Sequence, residues 1–229
     1  DVYKRQLTVA IDAICYATMM RMDFGVNIRL TNNSWGGGGF SQTLHDAIAE
    51  SAANDMLFIA ASGNEGADLD EFPSFPASYE LDNIISVAAT DRNDLLADIS
   101  NIGATSVDVA APGVDIWSSV PGGYLEADGT SMAAPHVSGI VALVWDENPN
   151  SSYQEVRDAI LDTVEQLDSL HGKVATGGRV NAMATLLEFG LLVVSSTPER
   201  GAVLGTRPTA FTIGVSDPYA PLTAVSYTQ

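Results

Sequence analysis

The chain has 229 residues, 46% of them hydrophobic, with 20 glycines and a single cysteine, so it can bury a sizeable core but cannot form an intrachain disulfide. Ten Lys and Arg stand against 29 Asp and Glu, a formal net charge of −19, which disfavours nucleic acid and anionic membrane surfaces as partners. No apolar run reaches the length of a membrane span.

Leu7 to Met22 reads as a helix that turns Val9, Ile11, Ala13, Ile14 and Ala17 toward a core, and a strand follows over Val26 to Thr31. The lone Cys15 on that helix reads as packing. Thr43 to Asn54 again has a helical period. Met56 to Ala61, Ile84 to Ala89 and Val107 to Ala111 are short continuous apolar runs, the pattern of parallel strands buried on both faces. Pro112-Gly113 turns the chain, and Asp115 to Val120 gives another short strand before Pro121-Gly122-Gly123. From Met132 to Trp145 almost every residue is small or apolar, which predicts a buried helix starting at Ser131. Ser152 and Glu155 have the spacing of a capping box and open a helix through Val156, Ile160 and Val164. Gly177 to Asn181 leads into a last helix ending near Gly190.

This alternation predicts an α/β fold, a doubly wound and mostly parallel sheet with helices on both faces, whose sites lie at the carboxyl ends of the strands. Residues 1–190 read as one domain. Beyond Leu191 the helical period disappears. Leu192 to Pro198 and Ala210 to Val215 are strand-like, so residues 191–229 read as the start of a β-rich, immunoglobulin-like domain or as a linker.

Three blocks carry chemistry. Gly129-Thr130-Ser131-Met132-Ala133-Ala134-Pro135-His136-Val137 sets a serine at the mouth of a helix, where the dipole and unpaired amides favour negative charge on its oxygen. Taken alone, that pattern leaves nucleophile and simple N-cap both open. The other blocks are Ala60-Ala61-Ser62-Gly63-Asn64-Glu65-Gly66 and Asn32-Asn33-Ser34-Trp35-Gly36-Gly37.

In this order and at these spacings the three blocks resemble the subtilisin-like serine endopeptidases, the subtilase family, and the likeness runs over residues 7–190. The resemblance implies that Ser131 attacks a peptide carbonyl, and that Asn64 donates its side-chain amide to the oxyanion together with the Ser131 backbone N–H. It implies that Ser34, Trp35 and Gly36 take the substrate backbone as an added strand. With Ala61, Ser62 and Gly63 they would wall the pocket for the residue before the scissile bond. The plainer readings are a turn for Ser-Gly-Asn-Glu-Gly, a core or rim aromatic for Trp35, and packing for Thr130 and Met132.

The family's triad runs Asp, His, Ser, with the first two upstream of the Asn-Ser-Trp-Gly block. Only 33 residues precede Ser34 and none is a histidine. His136 lies five residues past Ser131, about 7.5 Å along a helix and about 140° around it, so it cannot face the hydroxyl. His45, His171, Asp12 and Asp23 do not fit the pattern. The resemblance therefore implies an N-terminally truncated subtilase, inactive by itself, whose Asp and His lie upstream; Asp1 to Gln6 matches nothing in the family. The implied parent is an extracellular or cell-surface monomer acting on polypeptides. Its chemistry needs no cofactor, and structural calcium is a family expectation for which Asp82 and Asp68-Leu69-Asp70-Glu71 offer carboxylates, an exposed acidic loop being the plainer reading.

Two other functions stay open on the residues. A non-catalytic subtilase-like domain that binds peptides by strand addition is permitted by the missing Asp and His, although intact Ser131 and Asn64 argue against it. An α/β-hydrolase esterase is disfavoured because Gly129-Thr130-Ser131-Met132-Ala133 lacks the second glycine of the nucleophile elbow.

Overall fold

The computed structural model describes the backbone of residues 2–188, 192–197, 210–217 and 220–228, and side chains over 7–188. In chain order, helix α1 (Val2–Phe24) precedes strand β1 (Leu30–Asn33), α2 (Gln42–Ala53), β2 (Leu57–Ala61), β3 (Ile84–Thr90) and β4 (Val109–Pro112). A hairpin of β5 (Ile116–Val120) and β6 (Gly123–Ala127) leads into α3 (Thr130–Glu147), followed by α4 (Tyr153–Asp162), β7 (Glu165–Gln166), β8 (Gly178–Arg179) and α5 (Ala182–Glu188). The main sheet has the order β1-β2-β3-β4-β8-β7, parallel throughout except for the antiparallel β7–β8 pair.

The apolar runs are strands because both of their faces are covered. Every residue of β2 and β3 is buried. Alternate side chains go to opposite sides. Leu57, Ile59, Ile85 and Val87 join Val137, Val141 and Val144 of α3 in one core, while Phe58, Ala60 and Ala88 join Leu44 and Ile48 of α2 in the other. Asn83, wholly buried before β3, donates to the carbonyls of Ile48 and Met56 and to Ser51 Oγ, tying the end of α2 to the sheet. The α/β sheet with helices on both faces is thus the fold that the sequence pattern predicts.

Several boundaries differ from the pattern. α1 meets the core along Leu7, Ile11, Ile14 and Thr18, spaced on one helical face, and leaves Val9 67% exposed and Ala13 outside. The first strand starts at Leu30, four residues later than Val26. β6 has no counterpart in the sequence reading; its residues and those of β5 are largely exposed, so no burial pattern marks them. The capping box at α4 is present in both directions, with the Ser152 side chain accepting from Glu155 N and the Glu155 carboxylate from Ser152 N. Over the last forty residues the described strands β9 (Leu192–Thr197), β10 (Ala210–Asp217) and β11 (Ala220–Thr228) form an antiparallel sheet in the order β11-β10-β9. The first two of these coincide with the strand-like runs of the sequence.

One carboxylate joins several elements. Asp55, in the turn between α2 and β2 with φ of +58°, pairs with Arg21 of α1 at 3.2 Å, pairs with Arg29 just before β1, and accepts the Tyr153 N–H of α4 at 2.7 Å. The Arg29 guanidinium also lies over the Trp145 ring of α3, 5.3 Å from its centroid.

Candidate active site

Ser34 follows β1, Asn64 follows β2, and Ser131 stands in the first turn of α3. Parallel pairing brings the carboxyl ends of β1 and β2 side by side, with Asn33 opposite Ala60. α3 packs its N-terminal turn over these ends, as the doubly wound rule expects. The two serines meet reciprocally: Ser131 Oγ donates to the Ser34 carbonyl at 3.3 Å, and Ser34 Oγ donates to the Ser131 carbonyl at 2.8 Å.

Ser131 is not the cap of its helix. The N-cap is Gly129, with φ of +142° and no capping side chain, and its carbonyl receives the N–H groups of Met132 and Ala133. A side chain at position 129 would press on the Asn64 amide, 3.3 Å from a Cβ built there, which together with the positive φ selects glycine. As second residue of α3, Ser131 has a backbone N–H with no intrahelical acceptor.

Asn64 is held from one side. Its Oδ1 accepts from the Thr130 N–H at 2.9 Å and from Thr130 Oγ1 at 3.1 Å, and Thr130 Oγ1 in turn accepts the Gly63 N–H at 3.1 Å. A backbone N–H only donates, so the atom facing it is the amide oxygen, and Nδ2 is turned elsewhere as a donor. Thr130 is wholly buried. The sequence reading gave it only packing, but its hydroxyl orients Asn64; the available signal was a hydroxyl beside a helix-opening glycine.

The loop that carries Asn64 is fixed by the segment between β3 and β4. Asn101 Oδ1 accepts the N–H groups of Glu65 and Ala67, and its Nδ2 donates to the Ser62 carbonyl and to Glu65 Oε2. Gly63 has φ of +109°, and a Cβ there would lie 2.4 Å from Asn101 Nδ2, so the turn excludes any side chain. Nothing in the spacing of the sequence marks Asn101.

Trp35 is partly buried against the α2 side of the core and donates from Nε1 to Asn33 Oδ1. Gly36 lies beside the backbone of Phe75 and the ring of Pro76. Ala61 and Ser62 are buried, and Ser62 Oγ donates to the Asn101 carbonyl. No histidine bonds to Ser131: His136 Nδ1 faces the Met132 carbonyl on the exposed side of α3, His45 pairs with Asp46 and stands edge-on to Tyr79, and His171 lies exposed in a turn.

Among the described residues no three His, Cys, Asp or Glu are grouped to hold a metal ion. In the acidic loop, Asp70 accepts from the backbone N–H and hydroxyl groups of Thr105 and Ser106. Burial pushes its carboxyl up, but these hydrogen bonds outweigh that and hold it below the usual carboxylate range. Asp70 is thereby tied to loop 105–106.

The model of the subtilase family matches residues 5–184. The chain belongs to the subtilase family. It is 41% identical over 141 residues to alkaline elastase YaB from Bacillus sp. (strain YaB), covering 61% of this chain and 36% of that protein. It is 40% identical over 160 residues to subtilisin BL of Lederbergia lenta, covering 69% of this chain and 56% of the relative. A protease from Pseudoalteromonas arctica PAMC 21717 superposes with a TM-score of 0.66 at 26% identity, over 78% of this chain and 57% of that one. The prenylagaramide maturation protease PagA gives 0.64 at 27% identity, over 77% of this chain and 66% of its own. The chain thus spans between about a third and just over half the length of these curated relatives.

Proposed function

We propose that this chain is the nucleophile and oxyanion half of a serine endopeptidase, with the triad aspartate and histidine supplied by sequence upstream of Asp1. The observation that carries the reading is the junction of Asn64, Thr130 and Ser131: a serine hydroxyl, its unpaired backbone N–H and a side-chain amide turned into a donor meet at one helix end. Ser131 Oγ attacks the carbonyl carbon of a peptide bond while its proton passes to an imidazole. The oxyanion that forms accepts Asn64 Nδ2–H and the Ser131 N–H. Collapse expels the amine with the imidazole proton, and water then hydrolyses the acyl ester on Ser131. The substrate backbone runs along Ser34-Trp35-Gly36 as an added strand, with Ala61-Ser62-Gly63 opposite. The chemistry needs no metal. The strongly acidic composition suits an extracellular place for the parent enzyme. Among the described residues no helix is long and apolar enough to cross a membrane.

A second reading, a peptide-binding domain without catalysis, is favoured by the lack of any histidine at Ser131. One experiment separates them. The protein extended by its upstream coding sequence is treated with a fluorophosphonate: stoichiometric labelling that Ser131→Ala abolishes supports the endopeptidase. Peptide binding without labelling supports the second reading.

A further inference from the structure

α3 contains a proline in its second turn, Pro135. A helical carbonyl normally accepts from the N–H four residues on, and proline has none. The carbonyl deprived by Pro135 is that of Ser131. Its hydrogen bond comes from outside the helix, from Ser34 Oγ at 2.8 Å. Ser34 Oγ is itself oriented, accepting from Asn32 Nδ2 at 3.0 Å, and Asn32 Oδ1 accepts from Ser138 Oγ, about two turns beyond Ser131 on α3, at 2.9 Å. A hydroxyl, an amide and a hydroxyl thus form a chain that leaves α3 at Ser138, crosses β1 at Asn32 and returns to α3 at Ser131.

We infer that Ser34 is a positioning residue: its hydroxyl replaces the helix donor lost at Pro135 and fixes the Ser131 peptide unit, and with it the direction of Oγ. This rests on Ser131 being the nucleophile. It assigns Ser34 a side-chain role separate from any pairing of its backbone with substrate. The chain of bonds makes the loss of the backbone donor useful, because an intrahelical bond at Ser131 would register that residue only to its own helix. The bond from Ser34 registers it to β1, which lies beside the strand that delivers Asn64.

The test is a double-mutant cycle, because Pro135→Ala gives position 135 an N–H and returns to the Ser131 carbonyl its own helix donor. In the upstream-extended enzyme, Ser34→Ala is expected to slow acylation by a fluorophosphonate about tenfold, the worth of one lost hydrogen bond at a reacting centre, with KM for a peptide substrate unchanged. In the Pro135→Ala background the same substitution is expected to cost about twofold or less. An equal cost in both backgrounds overturns the proposal, as does an effect confined to KM. Thermal unfolding of the same four proteins, and of the 229-residue chain carrying the same changes, reads the cap without any chemistry. There the two substitutions should be non-additive, and additivity overturns the cap. If no protein labels while the unfolding cycle is non-additive, the endopeptidase reading fails and the cap stands; coupling in unfolding with acylation untouched leaves a cap that positions nothing and overturns the inference.

Discussion

The two sides of Ser131 are built to very different degrees. Toward Asn64, three residues from three segments converge: Thr130 holds the amide, Gly63 holds Thr130, and Asn101 holds the loop. On the side where a general base would act, no imidazole meets the hydroxyl, and Ser131 Oγ rests on a backbone carbonyl. The contrast teaches that β2 and the start of α3, brought together by the parallel sheet, suffice to hold the Asn64 amide at the first turn of α3, the arrangement that the proposed oxyanion site requires. Activating the oxygen is a separate task that needs a separate group, since a serine alcohol without a base is a weak nucleophile.

The largest effect tests the empty side. The 229-residue chain by itself should not be labelled by a fluorophosphonate, as read by intact mass. Stoichiometric labelling lost in Ser131→Ala would show that a base is present after all. Next comes the built side: in the extended enzyme Asn64→Ala should lower kcat by about 10²–10³-fold with KM nearly unchanged, the loss known for the corresponding donor of subtilisin. A variant that keeps its kcat would reduce Asn64 to a turn residue. Thr130→Val removes the hydroxyl but keeps the N–H, so kcat should fall by about tenfold, less than for Asn64→Ala. Gly63→Ala, measured by thermal unfolding, should cost about 1–3 kcal/mol because φ of +109° and the approach of Asn101 both reject a Cβ.

The smallest effect is a control far from the site. The Ser152 backbone N–H, and then its hydroxyl, hold the Glu155 carboxyl below its ordinary value. A carboxyl lowered in the folded state adds stability above its unfolded pKa and loses it as the pH falls through the folded one. Ser152→Ala should therefore move the NMR titration of Glu155 upward without altering labelling at Ser131. Altered labelling would mean that α4 couples to the site.

Much of this was legible in the chain because some signals are local. β2 and β3 are apolar at nearly every position because both faces are covered, and the capping box needs only Ser152 and Glu155. The order of the three blocks gave Ser34, Asn64 and Ser131. Asn101 and the orienting hydroxyl of Thr130 escaped because their partners lie 34 to 67 positions away, where no period or spacing points. β6, the second strand of the β5–β6 hairpin, escaped for the opposite reason: with its residues largely in solvent, its side chains carry no alternation to read. α1 misled because its apolar residues surround the helix, whereas the stripe through Leu7, Ile11, Ile14 and Thr18 is the face that meets the core.

Asp55 has a consequence for how the molecule comes apart. Since α1, the approach to β1 and the first turn of α4 all end on that single carboxylate, none of them opens without freeing charges that the others must absorb. These distant stretches of chain should therefore behave as one cooperative unit, with amide protons around Arg21, Arg29 and Tyr153 exchanging with similar free energies of opening. Asp55→Asn should loosen all three together.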